Sequence, residues 1–192
     1  MRGVVREIVI TVILALLFFV AIRSVVHNFE VNGYSMEPNL HDGQFVIVSK
    51  AAYWFSDPKR GDIVVFDAPN LNHDVIHRIV GLPGESLEIQ GGQLYVNGEP
   101  LDEPYIQGSN SVSLKEIPEN SYFIIGDNRG ASSSHIVPKD DIVGKAWLIY
   151  WPMDDWGFVP NHSWKSGSTE QEEPDAEVSV LQSSFPVDAN VA

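Results

Sequence analysis

The chain has no cysteine among its 192 residues. That excludes a disulfide framework, a thiolate nucleophile and any metal site built on thiolates, and it fits either side of a membrane equally well. Basic residues are scarce: 12 Lys and Arg stand against 26 Asp and Glu, a formal net charge of −14. Such a surface repels phosphate backbones, so no nucleic-acid partner is expected. No Walker loop and no Gly-x-Gly-x-x-Gly occurs, and no cofactor of any kind is implied. His73, His77 and His135, with Asp74, are the nearest thing to a metal-ligand set. A spacing of four puts His73 and His77 on one face of a helix, but this segment reads as a strand, where they lie well apart, so no metal is expected.

The charge is unevenly spread, and it divides the chain in three. Residues 1–26 carry Arg2, Arg6 and Arg23 against Glu7 alone, and residues 8–22 are uninterrupted apolar or Thr positions. With its flanks this stretch reaches the ~20 residues that cross a hydrocarbon core, and both end arginines can snorkel. A cleaved signal peptide has similar parts, but no small-x-small pattern follows; "RSVVHNFEV" runs straight on into strand-like sequence. The expectation is an uncleaved single-pass anchor in the plasma membrane. The preceding arginines place the N-terminus in the cytoplasm and the remainder outside.

Residues 27–164 read as an all-β domain of mostly antiparallel, coiled or barrel-like sheet. Short β-branched and aromatic runs, among them "FVIVSKAAYWF", "GDIVVFDA", "DVIHRIVGL" and "SYFIIGD", are punctuated by Gly, Pro, Asn and Asp. "LEIQGGQLYVNGEPL" predicts a meander with turns at Gly91-Gly92 and Asn97-Gly98. "AAYWF", residues 51–55, either dips into the outer leaflet or packs in the sheet. Residues 165–192 hold six acids from residue 166 onward and no Lys or Arg beyond Lys165. They read as an acidic disordered tail, with "VSVLQSSF" as an alternative docking peptide.

Three stretches could carry chemistry. In "VNGYSMEPNL", Gly33 and Pro38 constrain a turn that can present the hydroxyl and backbone N–H of Ser35 to one point, as acyl transfer requires. In "DVIHRIVGLPGES", strand alternation puts Val75 and His77 on one face and Ile76 and Arg78 on the other. Each polar residue then needs its own partner, because burial without one is costly. A serine hydroxyl would suit the imidazole, and a carboxylate the guanidinium. "IIGDNRGASSSH" offers Asp127 as a partner for Arg78 and Ser132 within reach of a base. Taken singly, each stretch also reads as an ordinary turn or strand.

Together, in this order, an N-terminal anchor, "GYSMEPNL", "RGDIVVF", "HRIVGLPGE" and "IGDNR…IVGKAWLIYWP" resemble the type I signal peptidases of bacteria. The resemblance spans about residues 5–152. It implies a mostly antiparallel coiled β domain and a membrane-bound serine endopeptidase that removes signal peptides from exported preproteins, beside the lipid bilayer and the export translocon. It also implies Ser35 as nucleophile, with its backbone N–H as one arm of the oxyanion hole. Gly33 stands where the family often has a second, hydroxyl donor. Phe29, Val31, Leu40, Val75 and Ile76 match walls that accept small substrate side chains, with Gly33 and Met36 beside the serine counted among the substrate-binding positions. Asp127, Asn128 and Arg129 match a structural box beneath the site, and Arg78 the residue that pairs with its acid.

Two departures stand out. The bacterial pattern has a lysine base where this chain has His77, as the eukaryotic-reticulum and archaeal branches do. The box after Gly-Asp-Asn-Arg lacks its usual acid and arginine, although Ser132 matches the serine that supports the base. A lysine of pKa about 10.4 needs strong desolvation to act near neutrality, whereas imidazole starts near 6.5 and needs none. The reading is a Ser35–His77 dyad supported by Ser132, with Asp127 and Ser132 ahead of His135 as acceptors for the second imidazole nitrogen. The alternatives are an impaired relative that binds exported peptides without cleaving them, and a relative with a narrow substrate set.

Overall fold

A helix, α1 (Arg2–Val25), opens the chain in the computed structural model, which describes residues 2–68, 71 and 73–164. Its apolar side chains, from Ile8 to Ile22, stand exposed, and by length and composition it can cross a membrane. Its two hydroxyls are satisfied inside the helix: Thr11 Oγ1 donates to the Glu7 carbonyl at 2.9 Å and Ser24 Oγ to that of Val20 at 2.8 Å. Such back-bonding removes the cost of carrying a hydroxyl into lipid.

The helix passes directly into β1 (Val26–Glu30), and among the described residues the regular structure after it is β strand with three short 3₁₀ turns. The further strands are β2 (Phe45–Ser49), β3 (Ile63–Ala68), β4 (His73–Gly81), β5 (Leu87–Gln90), β6 (Gln93–Val96), β7 (Glu99–Leu101), β8 (Val112–Leu114), β9 (Ser121–Ile125), β10 (Ser134–Pro138), β11 (Ile142–Trp151) and β12 (Gly157–Phe158). One sheet runs β1-β2-β11-β3-β4-β9-β10, with β12 also on β11, and the second runs β7-β6-β5-β8. Every strand pair is antiparallel, as the sequence predicts for this all-β class.

Local chemistry explains the clearest elements. The meander over 87–101 has its turns where predicted. Gly91 and Gly92 sit at φ 57° and 91°, Asn97 and Gly98 at 52° and 84°, the left-handed pairs that close two-residue hairpins in register with the strand twist. The run after Ser49 differs from the expectation of a continuous strand. Lys50–Tyr53 form a 3₁₀ turn. Tyr53 folds inward against the core, donating its hydroxyl to Asp62 at 2.9 Å, while Trp54 and Phe55 point out at 59% and 97% exposure.

Strand β4 decides the position of the site. Its partner register, Val64 opposite His77 and Phe66 opposite Val75, sets these four on one face. Ile76 and Arg78 project from the other, where Ile63, Val65 and Ile76 join one core cluster. The expected acidic tail falls outside the described residues.

Candidate active site

The serine loop, residues 31–44, is closed at its base by Val31 N–H to the Gln44 carbonyl (2.8 Å) and Gly43 N–H to that of Val31 (2.9 Å). Gly33 takes φ +87°, open to glycine at no steric cost, and its N–H donates to Asp42 Oδ1 at 2.6 Å. Met36 and Leu40 drop from the loop into the core with no exposed surface. Asn128 pins the serine peptide twice: its N–H donates to the Ser35 carbonyl at 2.9 Å and its side-chain amide to that of Tyr34 at 3.1 Å. Ser35 is thus held by its neighbours while its own N–H makes no hydrogen bond among the described residues.

Gly126 is the point where the loop meets β4. A Cβ there would collide with the Ser35 carbonyl, would lie 2.7 Å from Ser132 Cβ and 3.1 Å from Cδ2 of His77. Only glycine lets the three segments approach so closely. They open onto a cleft of about 200 Å³ lined by Phe29, Ser35, Val75, Ile76, His77, Ser132 and His135, among others. Ser35, His77 and Ser132 are therefore brought together, although no hydrogen bond joins Ser35 to His77 among the described residues. Of the residues assigned to the substrate walls, Phe29, Val75 and Ile76 line the cleft. Val31, Met36 and Leu40 are instead packed in the core beneath it, and Gly33 lies outside it.

His77 is 3% exposed, with Phe66 and His135 against its ring at centroid distances of 6.1 and 5.7 Å. Burial, and secondarily the repulsion of His135, push its pKa down to about 3, so the ring is neutral at physiological pH. Its Cδ2 edge faces Gly126, and its Nδ1 is buried with no partner among the described residues.

Neither favoured acceptor serves that nitrogen. Both Asp127 oxygens are engaged on the opposite face of β4: Arg78 Nε donates to Oδ1 at 2.8 Å and Nη2 to Oδ2 at 2.7 Å, and Asn39 Nδ2 also donates to Oδ2, at 2.9 Å. Ser132 sits on the Cδ2 side of the ring and donates its hydroxyl to the Gly126 carbonyl at 3.3 Å. Arg78 completes its set with the Gly61 and Pro160 carbonyls at 2.9 and 3.0 Å and lies 4.1 Å from the centre of the Tyr105 ring. Arg129 pairs with Glu103 at 2.6 Å. The contributions of Asn39 and Gly126 escape a reading of the sequence, because Asn39 meets Asp127 88 residues away and Gly126 meets Ser35 and His77 from distant segments of the chain.

A hydroxyl with a free neighbouring N–H, beside a buried neutral imidazole in a small, partly apolar cleft, is equipped for acyl transfer to and from serine. Residues 3–151 match the family described as signal peptidase, peptidase S26. The chain is 39% identical over 137 residues to Signal peptidase I of Leptolyngbya laminosa, covering 64% of this chain and 68% of that one. It is 35% identical over 162 residues to Probable signal peptidase I-2 of Synechocystis sp., covering 78% and 74%. To Signal peptidase I of Bacillus licheniformis it is 32% identical over 169 residues, covering 79% and 89%. The chain belongs to the signal peptidase family, peptidase S26, and is a serine endopeptidase of the type I signal peptidase class.

Proposed function

We propose that the protein removes signal peptides from exported preproteins with Ser35 as nucleophile and His77 as general base. The observation that carries this reading is the convergence of Ser35 and the His77 ring on Gly126 at one cleft. Nε2 of His77 takes the Ser35 proton as Oγ attacks the scissile carbonyl. The Ser35 N–H donates to the developing oxyanion, and the imidazolium returns the proton to the leaving amine. A water then hydrolyses the acyl-enzyme by the same steps in reverse. Phe29, Val75 and Ile76 give the cleft an apolar wall suited to small side chains.

Residues 1–26 are the anchor and 27–164 the peptidase domain. Arg2 and Arg6, in the first turns of α1, hold the N-terminus in the cytoplasm, so the cleft opens outside the plasma membrane, where preproteins leave the translocon. Trp54 and Phe55 project at the end of β2 paired with the start of β1, beside the helix exit, and rest in the outer interface of the bilayer.

The test uses the full chain in detergent on a defined preprotein. Ser35→Ala and His77→Ala are each expected to lower kcat/KM by roughly 10³-fold or more. Full activity in either variant would sink the reading. Labelling of wild-type Ser35 by a serine-directed inhibitor without any preprotein cleavage would favour the binding-only relative.

A further inference from the structure

Among the described residues, two imidazole nitrogens in the cleft wall lie buried without a hydrogen-bond partner: Nδ1 of His77 and Nε2 of His135. The rings are 5.7 Å apart between centroids with planes 37° apart. Phe66 packs against both, at 6.1 and 5.4 Å, and covers the pair from one side. His135 stands on β10, opposite Ile124 of β9, and lines the same cleft as Ser35 and His77.

The direction of the His77 ring narrows the choice of partner. Its Cδ2 edge faces Gly126 and the serine loop, so Nδ1 lies on the other edge. The carboxylate of Asp127 is engaged by Arg78 and Asn39, and the Ser132 hydroxyl by the Gly126 carbonyl. Asp74 lies 3.9 Å from His27, and His73 Nδ1 contacts the Leu71 carbonyl at 2.7 Å. A buried donor left unsatisfied is costly, and an acceptor buried beside it is its natural complement.

We propose that His135 is the positioning residue for His77: its Nε2 accepts the Nδ1–H of His77, through a small rotation of either ring or one bridging water. This keeps the Nε2 lone pair of His77 toward Ser35 and fixes the tautomer that the base step needs. Burial lowers the pKa of His135 as well, so the ring stays neutral and keeps an acceptor nitrogen. During attack the Ser35 proton moves to Nε2 of His77. The Nδ1–H of the resulting imidazolium then donates more strongly to His135, and no proton needs to pass to it. The inference rests on the Ser35–His77 reading above.

The experiment compares His135→Leu, which fills the space without an acceptor, with His135→Asn, which restores one, in the full chain in detergent. His135→Leu is expected to lower kcat roughly 10- to 100-fold with little change in KM, the range set by one hydrogen bond to a charged group. His135→Asn should recover most of that loss. A purely packing role predicts the reverse order, since Leu suits the contact with Phe66 better than Asn. In ¹⁵N-histidine spectra, the Nδ1–H proton of His77 should be seen downfield in the wild type and be lost in His135→Leu. Leu equal to or better than Asn in kcat, or an unchanged Nδ1–H signal in His135→Leu, overturns the proposal. Ser35→Ala and His77→Ala run in parallel: if either stays active the dyad itself fails, and if both are inactive while His135→Leu is fully active, only the role of His135 fails.

Discussion

Arg78 and Asp127 meet in a two-pronged ion pair with neither side chain exposed, joining β4 to the loop after β9 across 49 residues of sequence. Both charges are further satisfied, by the Gly61 and Pro160 carbonyls on one side and by Asn39 on the other. The pair fixes Asp127 and therefore its neighbour Asn128, which pins the Ser35 peptide. It links the stability of the fold to the placement of the serine.

Removing one charge leaves the other buried and uncompensated. Asp127→Ala is expected to destabilise the protein by about 3–5 kcal/mol. Urea unfolding of the detergent-solubilised chain measures it. A loss below about 1 kcal/mol would mean that Arg78 finds another partner or water in solution.

Gly126 is the second structural prediction. Its missing side chain makes room for the Ser35 carbonyl, Ser132 and the His77 ring, two of which are backbone or short side chain and cannot swing away. Gly126→Ala should cost about 1–3 kcal/mol by overpacking. It should also lower kcat more than Gly130→Ala, where the nearest atom to a new Cβ is Asn128 Oδ1 at 3.8 Å. Equal kcat values for the two variants would show that the loop absorbs the shift.

Much of this was legible in the sequence, for reasons particular to each segment. Gly91-Gly92 and Asn97-Gly98 name their hairpins because few other residues adopt those angles. The alternation of β4 follows from its period, which is why His77 and Arg78 were expected to need partners on opposite sides. What stayed open depended on three-dimensional packing. "AAYWF" is open in the sequence between the outer leaflet and the sheet; in the structure Lys50–Tyr53 form a 3₁₀ turn that ties Tyr53 inward to Asp62 and leaves Trp54 and Phe55 exposed. Val31, Met36 and Leu40 sit beside the serine in sequence yet fall inward from its loop. The sequence pairs Asp127 with Arg78 yet does not show that Asn39 completes its carboxylate, nor that the Ser132 hydroxyl turns to the Gly126 carbonyl, so the acceptor for His77 could not be chosen from it.

Trp54 and Phe55 give a prediction for the membrane arrangement. Exposed at the helix exit, they should lie near the lipid headgroups once α1 crosses the bilayer. In vesicles containing shallow brominated lipid, wild-type tryptophan fluorescence should be quenched, and Trp54→Phe should remove a distinct share of that quenching. Quenching unchanged in the variant would place this turn in water.

The pH dependence tests the state of the His77 ring. Burial first, and His135 second, push it down to about 3. An unfolded imidazole titrates near 6.5. Between those values the unfolded chain binds a proton that the folded chain refuses. This group therefore leaves stability unaffected above about 6.5 and lowers it as pH falls from there toward 3. Each unit of depression corresponds to about 1.4 kcal/mol. His77→Gln, neutral throughout, should flatten that part of the stability–pH curve without altering it above 6.5. Because the His77 ring is already neutral, the proposed Ser35–His77 mechanism predicts a kcat/KM that stays level from about pH 8 to below 6.5 and falls only under more acid conditions. An acid limb above 8 would assign the proton acceptor to a lysine. A limb at 6.5 would show that water reaches the ring past Phe66, and the stability slope of His77→Gln would then match the wild type.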